Sequence, residues 1–106
     1  MTDRVIFHAP TAGSLARARR NLLNFRAMAP AAELRIIANA AAVAAALEHP
    51  DPDTDAQLVL CRTSLTRQGP NHYAGVAETD SAVVAIARLQ PACWQYIRPY
   101  PGTFHA

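Results

Sequence analysis

Three polar side chains of this sequence stand where ligand-binding residues of α/β proteins are usually found. His8 and Asn39 each follow a short apolar run, and Cys61 ends another. In open α/β sheets, ligands bind at the carboxyl ends of the strands. If the three apolar runs are parallel strands, we expect these side chains to gather at one edge of the sheet.

Cys61 offers the sharpest chemistry of the three. It directly precedes a predicted short helix, so its sulfur would lie near unpaired N–H groups at the positive end of a helix dipole. Arg62 adds a cation, and the hydroxyls of Thr63 and Ser64 can donate hydrogen bonds to the sulfur. Each effect favours the thiolate, which attacks sulfur and carbon electrophiles. The alternative is a buried cysteine that acts as a small apolar side chain.

The second cysteine and the histidines are weaker candidates for a chemical role. Cys93 is expected to fill space, and His8 is either an acid or base near neutral pH or a residue that bonds to loop backbone. The wide spacing of the histidines, without a CxxC or HxxxH pattern, predicts no metal site. The scattered glycines form no GxGxxG and no phosphate-binding loop. The histidines expected to be solvated, in loops or the tail, are His49, His72 and His105.

Length and composition predict one domain over residues 1–106. Of the 106 residues, 51% are apolar and 17% are charged, which excludes a disordered tail or an extended charged helix. The formal charge of +2 does not call for a nucleic-acid partner, and the basic face of the first helix is expected to be solvated or to face a subunit. Since the chain has no signal-peptide pattern and no membrane-length apolar stretch, we expect a cytoplasmic protein with reduced thiols and no membrane partner.

Apolar runs alternate with segments of helical periodicity, and this order predicts an α/β fold. Ser14 is predicted to cap a helix over 15–28, Asn39 an alanine-rich second helix, and Thr79 or Asp80 the last helix. Right-handed βαβ units and a mainly parallel sheet covered on both faces follow from this alternation. The predicted strands lie at 5–7, 34–38, 58–61, 72–77 and, as an edge strand, 94–98. The predicted helices lie at 15–28, 40–48 and 62–68, closed by Gly69-Pro70, and from the last cap to Pro91.

Two segments are predicted to lie on the surface. The stretch 49–55 holds two prolines and three aspartates, which is typical of an exposed, flexible loop and a poor setting for paired acid–base catalysis. The tail at 99–106 is expected to be loosely held unless a neighbouring subunit covers it.

Five segments, taken in order, resemble the DsrE/DsrF-like family, small proteins that include sulfur-relay subunits of bacterial sulfur oxidation and tRNA thiolation. RVIFHA at 4–9 is similar to the family's first strand, and ARRNLLNFRA at 18–27 to its first helix. LRIIANAAAV at 34–43 resembles the second strand with its polar turn, and LVLCRTSLTRQG at 58–69 resembles a strand that ends in cysteine. VVAIARLQPACWQYIRP at 83–99 is similar to a closing Leu-Gln, aromatic and Ile-Lys/Arg-Pro pattern.

The resemblance implies a three-layer α/β/α sandwich with a mainly parallel sheet of about five strands, assembled into trimers or hexamers. Relay members carry sulfur as a persulfide on a cysteine, and only Cys61 maps onto the strand-end position. The sequence departs from the family at two turns. Asn39-Ala40 stands where relatives often have a His-Gly-like pair, and Pro91 and Cys93 stand where they often have a glycine-containing turn.

Three hypotheses about function follow. In the first, Cys61 takes a persulfide sulfur from a donor protein and passes it to an acceptor, without a metal or organic cofactor. His8, Asn39, Arg62 and Thr63 are then the candidate residues around the sulfur. In the second, a non-enzymatic oligomeric module holds a small ligand in the pocket at the strand ends or docks a partner protein, and the alanine-rich second helix and the aromatic last strand form an interface. In the third, a thiol-dependent or hydrolytic enzyme pairs Cys61 with His8.

Overall fold

Five parallel strands form one sheet with helices on both of its faces. The computed structural model describes residues 2–67 and 75–100. In the sheet the strands lie side by side in the order β4-β3-β2-β1-β5. The architecture is the predicted three-layer α/β/α sandwich. The strands are β1 (Arg4–Ala9), β2 (Glu33–Ala38), β3 (Leu58–Cys61), β4 (Ala77–Thr79) and β5 (Gln95–Ile97). The helices are α1 (Ala12–Met28), α2 (Ala41–Glu48), α3 (Arg62–Arg67) and α4 (Ala82–Leu89).

Side chains of the central strands alternate between two apolar layers, as the pleat of a strand requires. Because both faces are covered, the strands are nearly continuous apolar runs in the sequence. The layer on the α1 and α2 side comprises Val5, Phe7, Ala9, Leu15, Ala18, Leu22, Leu34, Ile36, Ala38, Ala42, Ala46, Leu58 and Leu60. The layer on the α4 side comprises Ile6, Ile37, Cys61, Ala82, Ile86 and Trp94.

The predicted caps of the first and last helices are wrong by one to three residues. Thr11 is the N-cap of α1, and its hydroxyl accepts the amide N–H of Ser14 at 3.0 Å. The hydroxyl of Ser14 accepts the amide of Thr11 in return, so Ser14 lies inside the first turn as the second half of a capping box. Ser81, rather than Thr79 or Asp80, caps α4, because β4 extends through Thr79.

The turn between β2 and α2 also differs from the prediction. Asn39 is not the N-cap, because its side chain is bonded to His8; Ala40 takes the cap position with φ 50° and ψ −132°. A non-glycine residue in such a conformation costs on the order of 1 kcal/mol or more. In the described part of the chain, the other non-glycine residue with positive φ is Cys93, at 70°.

Ala40→Gly is expected to stabilise the fold by about 1 kcal/mol, because glycine adopts positive φ without a Cβ clash. Thermal unfolding of the variant beside the parent protein measures the effect. Ala44→Gly in the middle of α2 is the matched control and is expected to destabilise by about 1 kcal/mol. Equal destabilisation by both substitutions would contradict the assignment of strain to Ala40.

The loop after α2 is predicted to be exposed along its whole length. In the structure its last two residues are buried. Thr54 is 0% exposed and Asp55 8%. The cause is Arg19 of α1, which belongs to the basic face predicted to be solvated or to face a subunit. Its Nη2 lies 3.1 Å from Oδ1 of Asp55. The second carboxylate oxygen of Asp55 accepts the amide of Asp51 at 2.8 Å, which closes the loop on itself. Arg19 therefore holds this loop against α1.

The last third of the chain agrees with prediction in type and differs in detail. β5 is an edge strand, as predicted, and it pairs with β1. α4 buries Ala82 and Ile86, whereas Val83, predicted on the buried face, is 69% exposed. A short 3-10 turn at Gln90–Ala92 continues α4. β4 begins at the last residue of the strand predicted at 72–77.

Several predictions lie outside the described residues. They concern the start of that strand at 72–74, the Gly69-Pro70 stop, His72, His105 and the tail from 101 onwards. Within the described ranges, none of the helices has both the length and the apolarity to cross a membrane.

Candidate functional site

The carboxyl ends of β1, β2 and β3 bring His8, Asn39 and Cys61 to the same edge of the sheet. The strands pair in parallel with registers that keep the three ends level. Two of these residues, His8 and Asn39, are in direct contact, and Cys61 lies directly before α3 with its Sγ against the first residue of α4.

His8 is held between two side chains. Its Nε2 lies 3.0 Å from Oδ1 of Asn39, and its Nδ1 lies 2.6 Å from the hydroxyl of Tyr96 in β5. Because Oδ1 of Asn39 is an acceptor, Nε2 carries the proton, and the hydroxyl of Tyr96 can donate to Nδ1 of the neutral ring or accept from Nδ1–H of the protonated ring. Both ring nitrogens are therefore engaged. Tyr96 was not predicted as a partner of His8, since residues 88 positions apart share no local pattern.

Partial burial lowers the pKa of His8 below its ordinary value. The hydrogen bond to Asn39 raises the pKa, and the positive charge of Arg98 lowers it. The unfolded chain therefore takes up this proton at a higher pH than the folded protein does. As the pH falls below about 6.5, the unfolded chain binds this proton first, so the free energy of unfolding is expected to decrease. Above that pH His8 is neutral in both states and its protonation costs no stability.

Asn39→Ala is expected to lower the pKa of His8 further, and Arg98→Gln to raise it. The first substitution removes the acceptor at Nε2, and the second removes a repelling charge. An NMR titration of the His8 ring protons in the two variants and the parent measures both shifts. If the two variants moved the pKa in the same direction, the assignment of these causes would be wrong.

Cys61 lies deeper in the protein than the other two residues. Only 5% of its surface is exposed, and it packs with Ile37, Ala82 and Trp94. Its Sγ accepts the amide N–H of Ala82, the first residue of α4, at 3.4 Å. The sulfur is thus in an apolar layer on one side and against backbone N–H groups on the other.

Burial by itself disfavours the thiolate and raises the pKa of Cys61. The N–H groups of Ser64 and Ala82, the hydroxyl of Ser64 and the N–H of Thr63 act in the opposite direction and outweigh it. The pKa of the Cys61 thiol is therefore below its ordinary value. Burial in apolar surroundings alone would raise it.

Ser64 connects the cysteine to the turn that carries Asn39. Its Oγ accepts the amide N–H of Ala40 at 2.8 Å, and its hydroxyl acts on Sγ of Cys61. His8, bonded to Asn39, is in this way linked to Cys61 without touching it. The sequence suggests Ser64 as a donor to the sulfur, but its contact with Ala40 has no sequence signal.

The two residues after Cys61 do not act as predicted. Arg62 forms ion pairs with Glu78, at 3.2 Å, and with Asp80, and its charge is not among the causes that lower the pKa of the cysteine. The hydroxyl of Thr63 donates to the carbonyl of Asp80 at 3.0 Å, so Thr63 acts on the sulfur through its amide. Both side chains connect α3 to residues 78–80, the segment that precedes α4.

Three other points of chemistry concern the Cys61–His8 pair, Cys93 and metal binding. A catalytic pair of Cys61 and His8 is not formed, because Asn39 and Tyr96 occupy both ring nitrogens of His8. Cys93, predicted to fill space, is exposed. Across residues 2–67 and 75–100, no three His, Cys, Asp or Glu side chains are grouped so that they could hold a metal ion.

A crevice opens beside the site, where the sheet order reverses. β1 lies between β2 and β5, which makes its carboxyl end a topological switch point, the usual ligand position in such sheets. The crevice has a volume of about 410 Å³. Its walls come from the start of α1 and the chain after β5: Pro10, Thr11, Ser14, Arg98, Pro99 and Tyr100.

No protein-family model matches this chain, and no curated protein matches its sequence. The resemblance to the DsrE/DsrF-like family therefore rests on the five sequence segments quoted above.

Proposed function

We propose that this protein is a sulfur carrier of the DsrE/DsrF-like type and that Cys61 holds the sulfur. The polar surroundings of Sγ are the observation that supports this most. The amide of Ala82 lies 3.4 Å from the sulfur, and the N–H groups of Ser64 and Thr63 also favour the thiolate. A thiolate is the form that attacks the sulfur of a persulfide.

Sulfur transfer on a single cysteine balances without a cofactor. The Cys61 thiolate attacks the outer sulfur of a donor persulfide. The donor's S–S bond breaks, the donor departs as a thiolate, and a new S–S bond forms on Cys61. An acceptor thiolate then attacks the same outer sulfur, and Cys61 leaves as a thiolate. The N–H groups that stabilise the resting thiolate stabilise it again as the leaving group.

The neighbouring side chains have positioning roles in this proposal. The bond from His8 to Asn39 secures the turn whose next amide, at Ala40, orients Ser64. Arg62 and Thr63 hold the segment before α4, and so keep the amide of Ala82 over the sulfur. Because Cys61 is 5% exposed, only a small part of its thiol is accessible to a donor.

Backbone conformation supports the family assignment within this proposal. Where relatives often carry glycine, this chain has Ala40 and a turn with Cys93. These are the two non-glycine residues of the described chain with positive φ, at 50° and 70°. Glycine is the residue that such a conformation favours. Positive φ at these two turns is what glycine would favour there, and this agrees with the proposal.

Assembly into trimers or hexamers belongs to the same proposal. Exposed apolar side chains support it, among them Val83 at 69% and Val84 at 43% on α4 and Ile97 at 39% on the edge strand. Sedimentation velocity gives the subunit count. We place the protein in the cytoplasm with donor and acceptor proteins as partners, because persulfide exchange requires reduced thiols.

Intact mass after treatment with polysulfide tests the carrier proposal. The reduced parent protein and Cys93→Ser are expected to gain the mass of one sulfur atom, and Cys61→Ser is expected to gain none. Cys93 is the matched control because it is the more exposed of the two thiols. Absence of any gain, or an equal gain on either cysteine, would contradict a carrier at Cys61.

A small-ligand binding module is the second candidate function. The crevice of about 410 Å³ between the start of α1 and the chain after β5 favours it. In that case Cys61→Ser would keep all ligand-induced stabilisation, and neither cysteine would gain sulfur selectively.

A further inference from the structure

We propose that a groove on the α4 face of the sheet binds a small amphipathic anion, meaning an organic molecule with an apolar body and a carboxylate, sulfonate or phosphate group. This binding site is separate from the sulfur chemistry proposed for Cys61 and does not depend on it. The groove has a volume of about 920 Å³. Small-molecule sites typically occupy roughly 300–1,000 Å³.

The floor of the groove is apolar. Ile37 of β2 and Val59 of β3 contribute to it, together with Leu89 of α4 and Trp94. The groove extends to the first residues of β2 and β3, so it opens toward the amino ends of these strands, opposite the edge that carries Cys61. This floor provides a surface for the apolar body of a ligand.

The charge around the groove is positive. Three arginines line it, and so do two carboxylates, Glu33 and Glu78. Each carboxylate is already paired with an arginine outside the groove: Glu33 with Arg4 at 3.3 Å, and Glu78 with Arg62 at 3.2 Å. The positive charge of the lining arginines is therefore not cancelled within the groove.

Two of the lining arginines have hydrogen-bonding capacity to spare. Arg26 donates to Gln57 at 2.6 Å and to the carbonyl of Asp53. In contrast, neither Arg35 nor Arg88 has an ion-pair partner among the described residues. Guanidinium groups bind carboxylate, sulfonate and phosphate oxygens in their plane through parallel N–H donors.

Trp94 orients one of these guanidinium groups. The central carbon of the Arg35 guanidinium lies 4.6 Å from the centre of the Trp94 ring. A cation–π contact uses the face of the guanidinium and leaves the N–H groups at its edge available. A cation held over an aromatic ring beside an apolar floor matches a ligand that carries an anionic group on an apolar body.

Fluorescence titration with 8-anilino-1-naphthalenesulfonate tests the proposal. This probe is an amphipathic anion, and Trp94 is the single tryptophan of the chain, so it reports on the groove directly. Binding is expected to raise the probe's emission and to quench that of Trp94. Arg35→Gln and Arg88→Gln are each expected to weaken binding about tenfold, the effect of losing one charge-assisted hydrogen bond.

Arg17→Gln is the matched control, since Arg17 is an exposed arginine of α1 outside the groove, and it is expected to leave binding unchanged. The uncharged analogue N-phenyl-1-naphthylamine is expected to bind the parent and the groove variants alike. Added salt is expected to weaken binding of the anion and not of the analogue, a comparison that requires no variant.

Three outcomes would overturn the proposal: equal binding of the sulfonate by the parent and both groove variants, equal loss in Arg17→Gln, or displacement of the probe as rising protein concentration forms a dimer through the groove. Because Cys61 does not line the groove, selective sulfur loading of Cys61 would neither rescue nor refute anion binding.

Discussion

Asp55→Ala is expected to lower the free energy of unfolding by about 3 kcal/mol, as is typical when one partner of a buried ion pair is removed. Arg19 and Asp55 are 12% and 8% exposed at their side chains, and Nη2 of Arg19 lies 3.1 Å from the carboxylate. The substitution leaves the largely buried arginine with a hydrogen bond to the carbonyl of His49 at 2.8 Å and, as its remaining carboxylate, Asp51 at 4.0 Å. It also removes the acceptor for the amide of Asp51. Urea unfolding at neutral pH measures the loss.

Two comparisons show whether the buried charge is the cause. The double variant Arg19→Ala/Asp55→Ala is expected to lose less stability than the sum of the single variants, because no unpaired charge remains. Glu33→Ala breaks the Arg4–Glu33 pair, whose side chains are 43% and 51% exposed. It is expected to cost less than about 1 kcal/mol. Equal effects of Asp55→Ala and Glu33→Ala would mean that the loop pair is effectively solvated.

Cys61 is expected to react with iodoacetamide at a lower pH in the folded protein than in the urea-unfolded chain. The N–H groups of Ser64, Ala82 and Thr63 and the hydroxyl of Ser64 lower the pKa of the thiol against the opposing effect of burial. Burial slows the reaction at every pH, whereas the pKa determines the midpoint of its rise with pH. The rate of modification, followed by mass in a Cys93→Ser background, measures both quantities.

Ser64 provides the internal control for this experiment. Ser64→Ala is expected to move the midpoint of the folded protein upward, and Ser64→Thr is expected to restore it because threonine keeps the hydroxyl. If Ser64 contributed only to stability, both variants would change the unfolding transition, and the pH midpoint of Cys61 modification would stay the same. A folded midpoint at or above that of the unfolded chain would show that burial outweighs the N–H groups.

The three central strands of this fold are evident in the sequence because they are largely buried on both faces. The apolar runs at 5–7, 34–38 and 58–61 fall inside β1, β2 and β3. The weak strand predicted at 72–77 shares a single residue with β4, whose three residues are exposed or half-buried and carry little apolar pattern. Periodicity identifies elements that bury apolar faces and says little about exposed edges.

The helix caps illustrate why boundaries were harder to predict. Asn39 has the chemistry of an N-cap, and by local preference it should cap α2. His8, from a strand 31 residues away, engages its side chain instead, and Ala40 takes the cap position at the expense of a positive φ. A contact between strands has overridden a local preference here.

The sequence by itself determined the α/β class, the parallel sheet, and the placing of His8, Asn39 and Cys61 at its carboxyl edge, because these follow from the order of buried runs along the chain. Only the tertiary structure decided what each of these residues touches. It joined Tyr96 to His8, turned Arg62 toward Glu78 and Asp80, and brought the amide of Ala82 to the sulfur. Such contacts depend on distances between segments far apart in the chain, and local patterns do not encode those distances.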